Sequence, residues 1–215
     1  MSSRETILGS IRSHLAASVP HDQLETVHDP DLSIGVPPVE VSPISTVEQF
    51  KQSLEAVDGH CVIARDEAEI TQAITRIVSD LGVRRIALSD APVLARLINA
   101  GDVEISPPDI FEFDAGISTA QAAIAETGTL VLDCARERHR LVSLVPPVHI
   151  AILEASSIFQ TLAEALAFVH QNGNISPAVT FITGPSRTAD IELTLTIGVH
   201  GPQELYVIVN DAARG

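Results

Sequence analysis

Apolar residues recur at two spacings along this chain, and the alternation of those spacings is its most informative feature. Ile7, Leu8, Ile11 and Leu15 fall at helical intervals, leaving Arg4, Arg12 and His14 to solvent. The pattern predicts a short amphipathic helix over 4–15. Residues 19–43 follow with Pro20, Pro30, Pro37, Pro38, Pro43, several aspartates and few periodic apolar positions. Such a stretch excludes a long helix or a central strand and reads as a surface strap. Residues 1–44 are therefore expected to form an arm and residues 45–215 a folded body. The helix of the arm has three places to dock: its own body, a second copy in a homo-oligomer, or another protein.

From Ser45 onward, apolar runs of strand length alternate with longer helical stripes. Strands are expected over 61–64, 85–88, 110–113, 130–133, 148–153, 179–183 and 205–209. Helices are expected over 46–57, 67–81, 92–98, 119–125, 157–170 and 188–197. Strands alternating with helices imply an α/β fold: an open, mostly parallel sheet with helices on both faces. Ser118 followed by Gln121 fits a capping box opening the 119–125 helix, and Gly128 fits its end. On that reading Glu126 sits in the last turn, where the helix dipole disfavours a carboxylate. A functional demand for a carboxylate at 126 would explain the placement.

Composition narrows the function classes. At 215 residues with 45% hydrophobic and 19% charged residues, the chain has the apolar content for a sizeable core. Its 13 Lys and Arg against 28 Asp and Glu leave a net charge of −15, which repels nucleic-acid phosphates and anionic membrane surfaces. No apolar run reaches the ~18 residues of a membrane span, and the first residues interleave charge with aliphatics as no signal peptide does. A cytoplasmic location is expected. Two cysteines, Cys61 and Cys134, fall short of the four thiolates of a typical iron–sulfur cluster. Both adjoin expected strands and read as packing residues. The histidines show no H-x-x-x-H spacing, and neither a G-x-G-x-x-G nor a Walker loop occurs, so no metal or nucleotide cofactor is expected on this chain.

Two places carry candidate chemistry. The run VTFITGPSRTADIELTLTI leads an apolar strand through Gly184 and Pro185 into Ser186, Arg187, Thr188 and Asp190 at an expected helix start. Unpaired amides beside an arginine and two hydroxyls would hold a carboxylate or phosphate. The same residues also suit ordinary capping, with Arg187 paired to Glu192, and caps occur at nearly every helix whereas ligand sites are few. His149, at the entrance to the strand VHIAIL, and His200, in a Gly-Val-His-Gly-Pro turn, are candidate general acids or bases or hydrogen-bonded structural residues. Arg136, Arg138, His139 and Arg140 form a local basic cluster interleaved with Glu137, more in keeping with a solvated turn than with a partner surface.

Three stretches, taken together, point to a family: Ala125-Glu126-Thr127-Gly128-Thr129; the segment from Arg140 through Ser143, Pro146 and Pro147 to His149; and Thr183 to Glu192 followed by Gly198 to Pro202. In order and spacing they resemble the LUD-domain family, and most closely its lactate utilisation protein C members. The likeness is strong from about 114 to 211. It implies a fold like that of the sugar-phosphate isomerase and CoA-transferase group, and a role in oxidising L-lactate to pyruvate beside partner proteins that carry iron–sulfur clusters. The resemblance names no catalytic residue; by their own chemistry the candidates are Glu126 as acid, base or nucleophile, with His149 or His200 as a second proton-transfer group. Candidate ligand contacts are Thr127, Gly128, Thr129, Gly184, Pro185, Ser186, Arg187, Thr188, Asp190 and Glu192. Two functions stay open: a non-redox component of a lactate-oxidising assembly, or a self-sufficient enzyme acting on a small carboxylate or phosphate. On either, Glu126 and the 184–190 segment are expected to share one cleft.

Overall fold

The computed structural model describes residues 3–17, 44–98, 110–134, 141–170, 178–189, 195–197 and 201–212. Met1–Val41 and Ser42–Gly215 form two compact units. In the first, α1 spans Ser3–Ala17, close to the helix expected there. The proline-rich strap lies outside the described residues.

The second unit opens with α2 (Thr46–Glu55), started by the Ser45 hydroxyl accepting from the amide of Glu48 at 3.3 Å. Strand β1 (His60–Ala64) leads to α3 (Glu67–Asp80). A reciprocal box starts α3: Asp66 accepts from the Glu69 amide at 2.7 Å, and Glu69 accepts from the Arg65 amide at 2.8 Å. Then come β2 (Ile86–Leu88), α4 (Leu94–Leu97), β3 (Ala115–Ala120), β4 (Ala122–Ile124) and β5 (Thr129–Asp133). The remainder is α5 (Leu141–Leu144), β6 (Val148–Glu154), β7 (Ile158–Phe159), α6 (Leu162–His170), β8 (Val179–Thr183), β9 (Arg187–Ala189), β10 (Leu195–Ile197) and β11 (Glu204–Asn210).

Five strands form a parallel sheet in the order β1-β11-β6-β3-β2. Side chains alternate across it. Val148, Ile150 and Ile152 of β6, with Ile208 of β11, pack under Ile70, Ile74 and Ile77 of α3 and Leu94 and Leu97 of α4. Ala151, Leu153, Val207 and Val209 point the other way, onto Phe50 and Leu54 of α2 and onto Leu130 and Leu132 of a second sheet. That sheet has four strands in the order β7-β4-β5-β8, and α6 closes its far face through Ala165 and Val169. The α/β fold with a mostly parallel sheet is as expected, but one face is covered largely by a mixed sheet instead of by helices alone. No helix among the described residues is long and apolar enough to cross a membrane.

Four expected elements are different in the structure. The helix expected over 157–170 begins only at Leu162, because Ile158 and Phe159 pair as β7 with β4. Residues 110–113 begin with a 3-10 turn, Ile110–Glu112, because Asp114 accepts from the amides of Arg84 and Arg85 at 2.9 and 3.0 Å and starts the strand after it. Residues 119–125, helical by composition, belong to β3 and β4. Their small side chains let the two sheets approach: Ala120, Ala122, Ala123 and Ala125 are all buried, and burial overrides alanine's helix preference. Residues 188–197 contain no helix in their described part. The β-branched alternation of this stretch instead pairs β9 with β10 antiparallel, Leu195 opposite Ala189.

Candidate functional site

Alternation along β6 places His149 on the same face as Ala151 and Leu153, toward the second sheet. The neighbouring β3 presents Gly116, Ser118 and Ala120 to that face. Ser118 Oγ lies 2.9 Å from His149 Nε2, and both residues are buried, His149 completely. Burial pushes the imidazole down from its ordinary 6.5 to about 4, so it is neutral at physiological pH. Its other nitrogen, Nδ1, has no hydrogen-bond partner. On the same strand as Ser118, Gly116 lets α5 lie against β3, since a Cβ there would lie 1.9 Å from the carbonyl oxygen of Val142.

A cavity of about 610 Å³ opens beside His149. Its walls come from α5 and the residue after it (Ser143, Leu144, Val145), from the end of β8 and the turn beyond (Phe181 to Ser186), from Gly201, Pro202 and Leu205 leading into β11, and from Phe111. His149 and Leu205 are each the second residue of their strands, so the cavity lies at the amino ends of β6 and β11. Open α/β sheets ordinarily hold ligands at the carboxyl ends. Here the turn after β8 and the approach to β11 meet over the amino ends: the Ser186 amide donates to the carbonyl of Pro202 at 2.7 Å.

Of the residues singled out in the sequence, His149, Gly184, Pro185 and Ser186 line this cavity. Glu126, Thr127, Gly128 and Thr129 do not. They form the β4–β5 turn and its entry into β5, Glu126 and Thr127 exposed, Gly128 and Thr129 buried, with Gly128 at φ 64°. The helix that was to place Glu126 against a dipole does not exist, and Ser118, read as that helix's cap, is instead the partner of the buried histidine. Arg187 forms an ion pair with Asp58, just beyond the end of α2, and not with Glu126. No helix begins at Gly184, so the cluster of free helical amides expected there is absent. Of Thr188 the structure describes only its place in β9, while Asp190, Glu192, His200 and the basic cluster at 136–140 lie outside the described residues.

The two glycine motifs do meet, but through packing. Thr129 Oγ1 bonds both Thr127 Oγ1 at 2.7 Å and Thr183 Oγ1 at 2.8 Å. A Cβ on Gly128 would overlap the backbone nitrogen of Leu54 at 2.3 Å, and one on Gly184 would overlap the carbonyl of Val57 at 2.5 Å. Both glycines therefore let their turns lie against the carboxyl end of α2. Sequence reasoning missed Ser118 as a site residue, and with it Asp58, Phe111 and Ser143. Only Ser143 carried a signal, as part of the motif leading to His149.

Among the described residues, no group of three His, Cys, Asp or Glu side chains could hold a metal ion. Cys61 and Cys134 are not joined in a disulfide, and burial raises the Cys61 thiol to about 12.

Residues 47–209 match the family model of the LUD domain. The chain is 29% identical over 170 residues to lactate utilization protein C of Geobacillus thermodenitrificans, covering 75% of this chain and 68% of that protein. It is 40% identical over 101 residues to lactate utilization protein C of Bacillus subtilis, covering 45% and 42%. The matched part thus spans less than half of the latter relative. The crystal structure of a DUF162 family protein from Deinococcus radiodurans superposes with a TM-score of 0.60 at 28% identity, covering 78% of this chain and 99% of that one. With three quarters of its length matched by the family model, and with a solved relative of the same fold, the chain belongs to the LUD domain family.

Proposed function

We propose that the chain serves lactate utilisation as a component without a redox centre of its own, holding a small organic ligand in the cavity beside His149. The observation that supports this reading is its similarity over 170 residues to a protein named lactate utilization protein C. Oxidation of L-lactate to pyruvate removes two electrons and two protons. With only two cysteines in the sequence, the electrons are assigned to iron–sulfur clusters on partner proteins in the cytoplasm. The neutral imidazole of His149 suits holding and orienting a ligand. Co-expression with candidate iron–sulfur partners tests the reading. Lactate oxidation should require this chain, and full activity with it omitted would overturn the proposal.

A second reading, a self-sufficient enzyme, is favoured by one feature: a buried histidine with an unpartnered nitrogen at a cavity. It predicts turnover of a small carboxylate or phosphate by the purified chain alone. Glu126 has no place in that reading, being outside the cavity.

A further inference from the structure

The hydrogen-bond inventory around His149 determines which ring nitrogen carries the proton. If Nε2 held it and donated to Ser118, two buried groups would be stranded: the Nδ1 lone pair and the Ser118 hydroxyl proton, whose one bond is to this ring. If Nδ1 holds it, Ser118 donates to Nε2 and only the Nδ1–H is left over. Unsatisfied buried groups are costly, so the second tautomer is favoured. The site then offers one buried donor and seeks an acceptor oxygen. Around it the described walls carry no charge: Leu144, Phe181, Pro202 and Leu205 are apolar, and Ser143 and Ser186 supply hydroxyls. At about 610 Å³ the cavity falls in the range that takes ligands much larger than a three-carbon acid.

We propose that this cavity binds a carbonyl compound with an apolar body larger than that of lactate, its carbonyl oxygen accepting from His149 Nδ1–H. The proposal rests on the cavity assigned above and specifies its ligand class. Calorimetric titration of the full chain with pyruvate, 2-oxobutyrate, 2-oxohexanoate and uncharged 2-hexanone tests it. Affinity should rise roughly fourfold per added methylene, the equivalent of about 0.8 kcal/mol per buried CH₂, and 2-hexanone should bind. Nitrogen-15 NMR of the ring should find Nδ1 protonated and shifted by ligand.

Leu144→Trp, entering the cavity from its exposed rim, should weaken 2-oxohexanoate at least tenfold with an unchanged melt, and His149→Phe should abolish binding. If His149→Phe fails to fold, the NMR signal and the Leu144 variant still decide. A flat series, a silent 2-hexanone, or a ring protonated on Nε2 would overturn the proposal. Failure there, with lactate oxidation still dependent on this chain, would leave the broader role standing. Rising affinity with no such dependence would do the reverse.

Discussion

Ser118 and His149, 31 positions apart, join Oγ to Nε2 at 2.9 Å across the adjacent parallel strands β3 and β6. The bond fixes the ring of a histidine that burial keeps neutral, a residue that lines a cavity and whose second nitrogen has no hydrogen-bond partner. Ser118→Ala would strand Nε2, at a cost of ~1–3 kcal/mol in chemical unfolding.

His149 also makes stability depend on pH. Its folded value, about 4, lies below the ordinary 6.5, so between these limits the unfolded chain binds the proton and folding excludes it. Stability from this group is complete above pH ~6.5 and lost as pH falls toward 4, by roughly 3 kcal/mol in all. Urea unfolding at pH 7, 5.5 and 4.5 should show that slope in the native chain and a shallower one in His149→Gln. Equal slopes would contradict it.

Gly128→Ala meets two obstacles, a φ of 64° and the backbone of α2 within 2.3 Å of the new Cβ. A loss of at least about 2 kcal/mol is expected in thermal unfolding. An unchanged melt would show that α2 does not pack on this turn.

The strands at 60–64, 129–133, 148–154, 179–183 and 204–210 were legible because each is a continuous apolar run bounded by turn residues. The 119–125 segment was not. Ala-Gln-Ala-Ala-Ile-Ala has helical composition, and what makes it strand is the narrow gap between two sheets, a tertiary fact. That one misreading carried the site with it, since it turned Ser118 into a cap and gave Glu126 a dipole to oppose. His149 was legible as a candidate from its place in a buried strand. Its partner was not, because pairing across parallel strands leaves no local spacing to read.

Arg187 and Asp58 form a largely exposed ion pair, with side chains 41% and 74% accessible. Arg187→Ala and Asp58→Ala should each change stability by less than ~1 kcal/mol, and their double-mutant coupling should vanish in high salt. Coupling well beyond that would mean the β9 segment is held far more tightly than an exposed pair allows.

The Cys61 thiol, raised to about 12 by burial against α2, stays protonated at pH 8. Iodoacetamide should therefore leave Cys61 unmodified in the folded chain and label it in urea, as read by peptide mass spectrometry. Rapid labelling under native conditions would show that α2 lifts from β1.

In the main sheet, β11 lies between β1 and β6, with His60 beside Tyr206 and Ile150 on its other side. During synthesis, β1 emerges long before the strand that joins it to the rest. Until Glu204–Asn210 leaves the ribosome, β1 and β6 each present a bare row of amides and carbonyls to the cell. This protein's exposure to misassembly is thus concentrated in the interval before one late strand arrives, and a ribosome stalled ahead of Glu204 would hold an adhesive, half-zipped sheet.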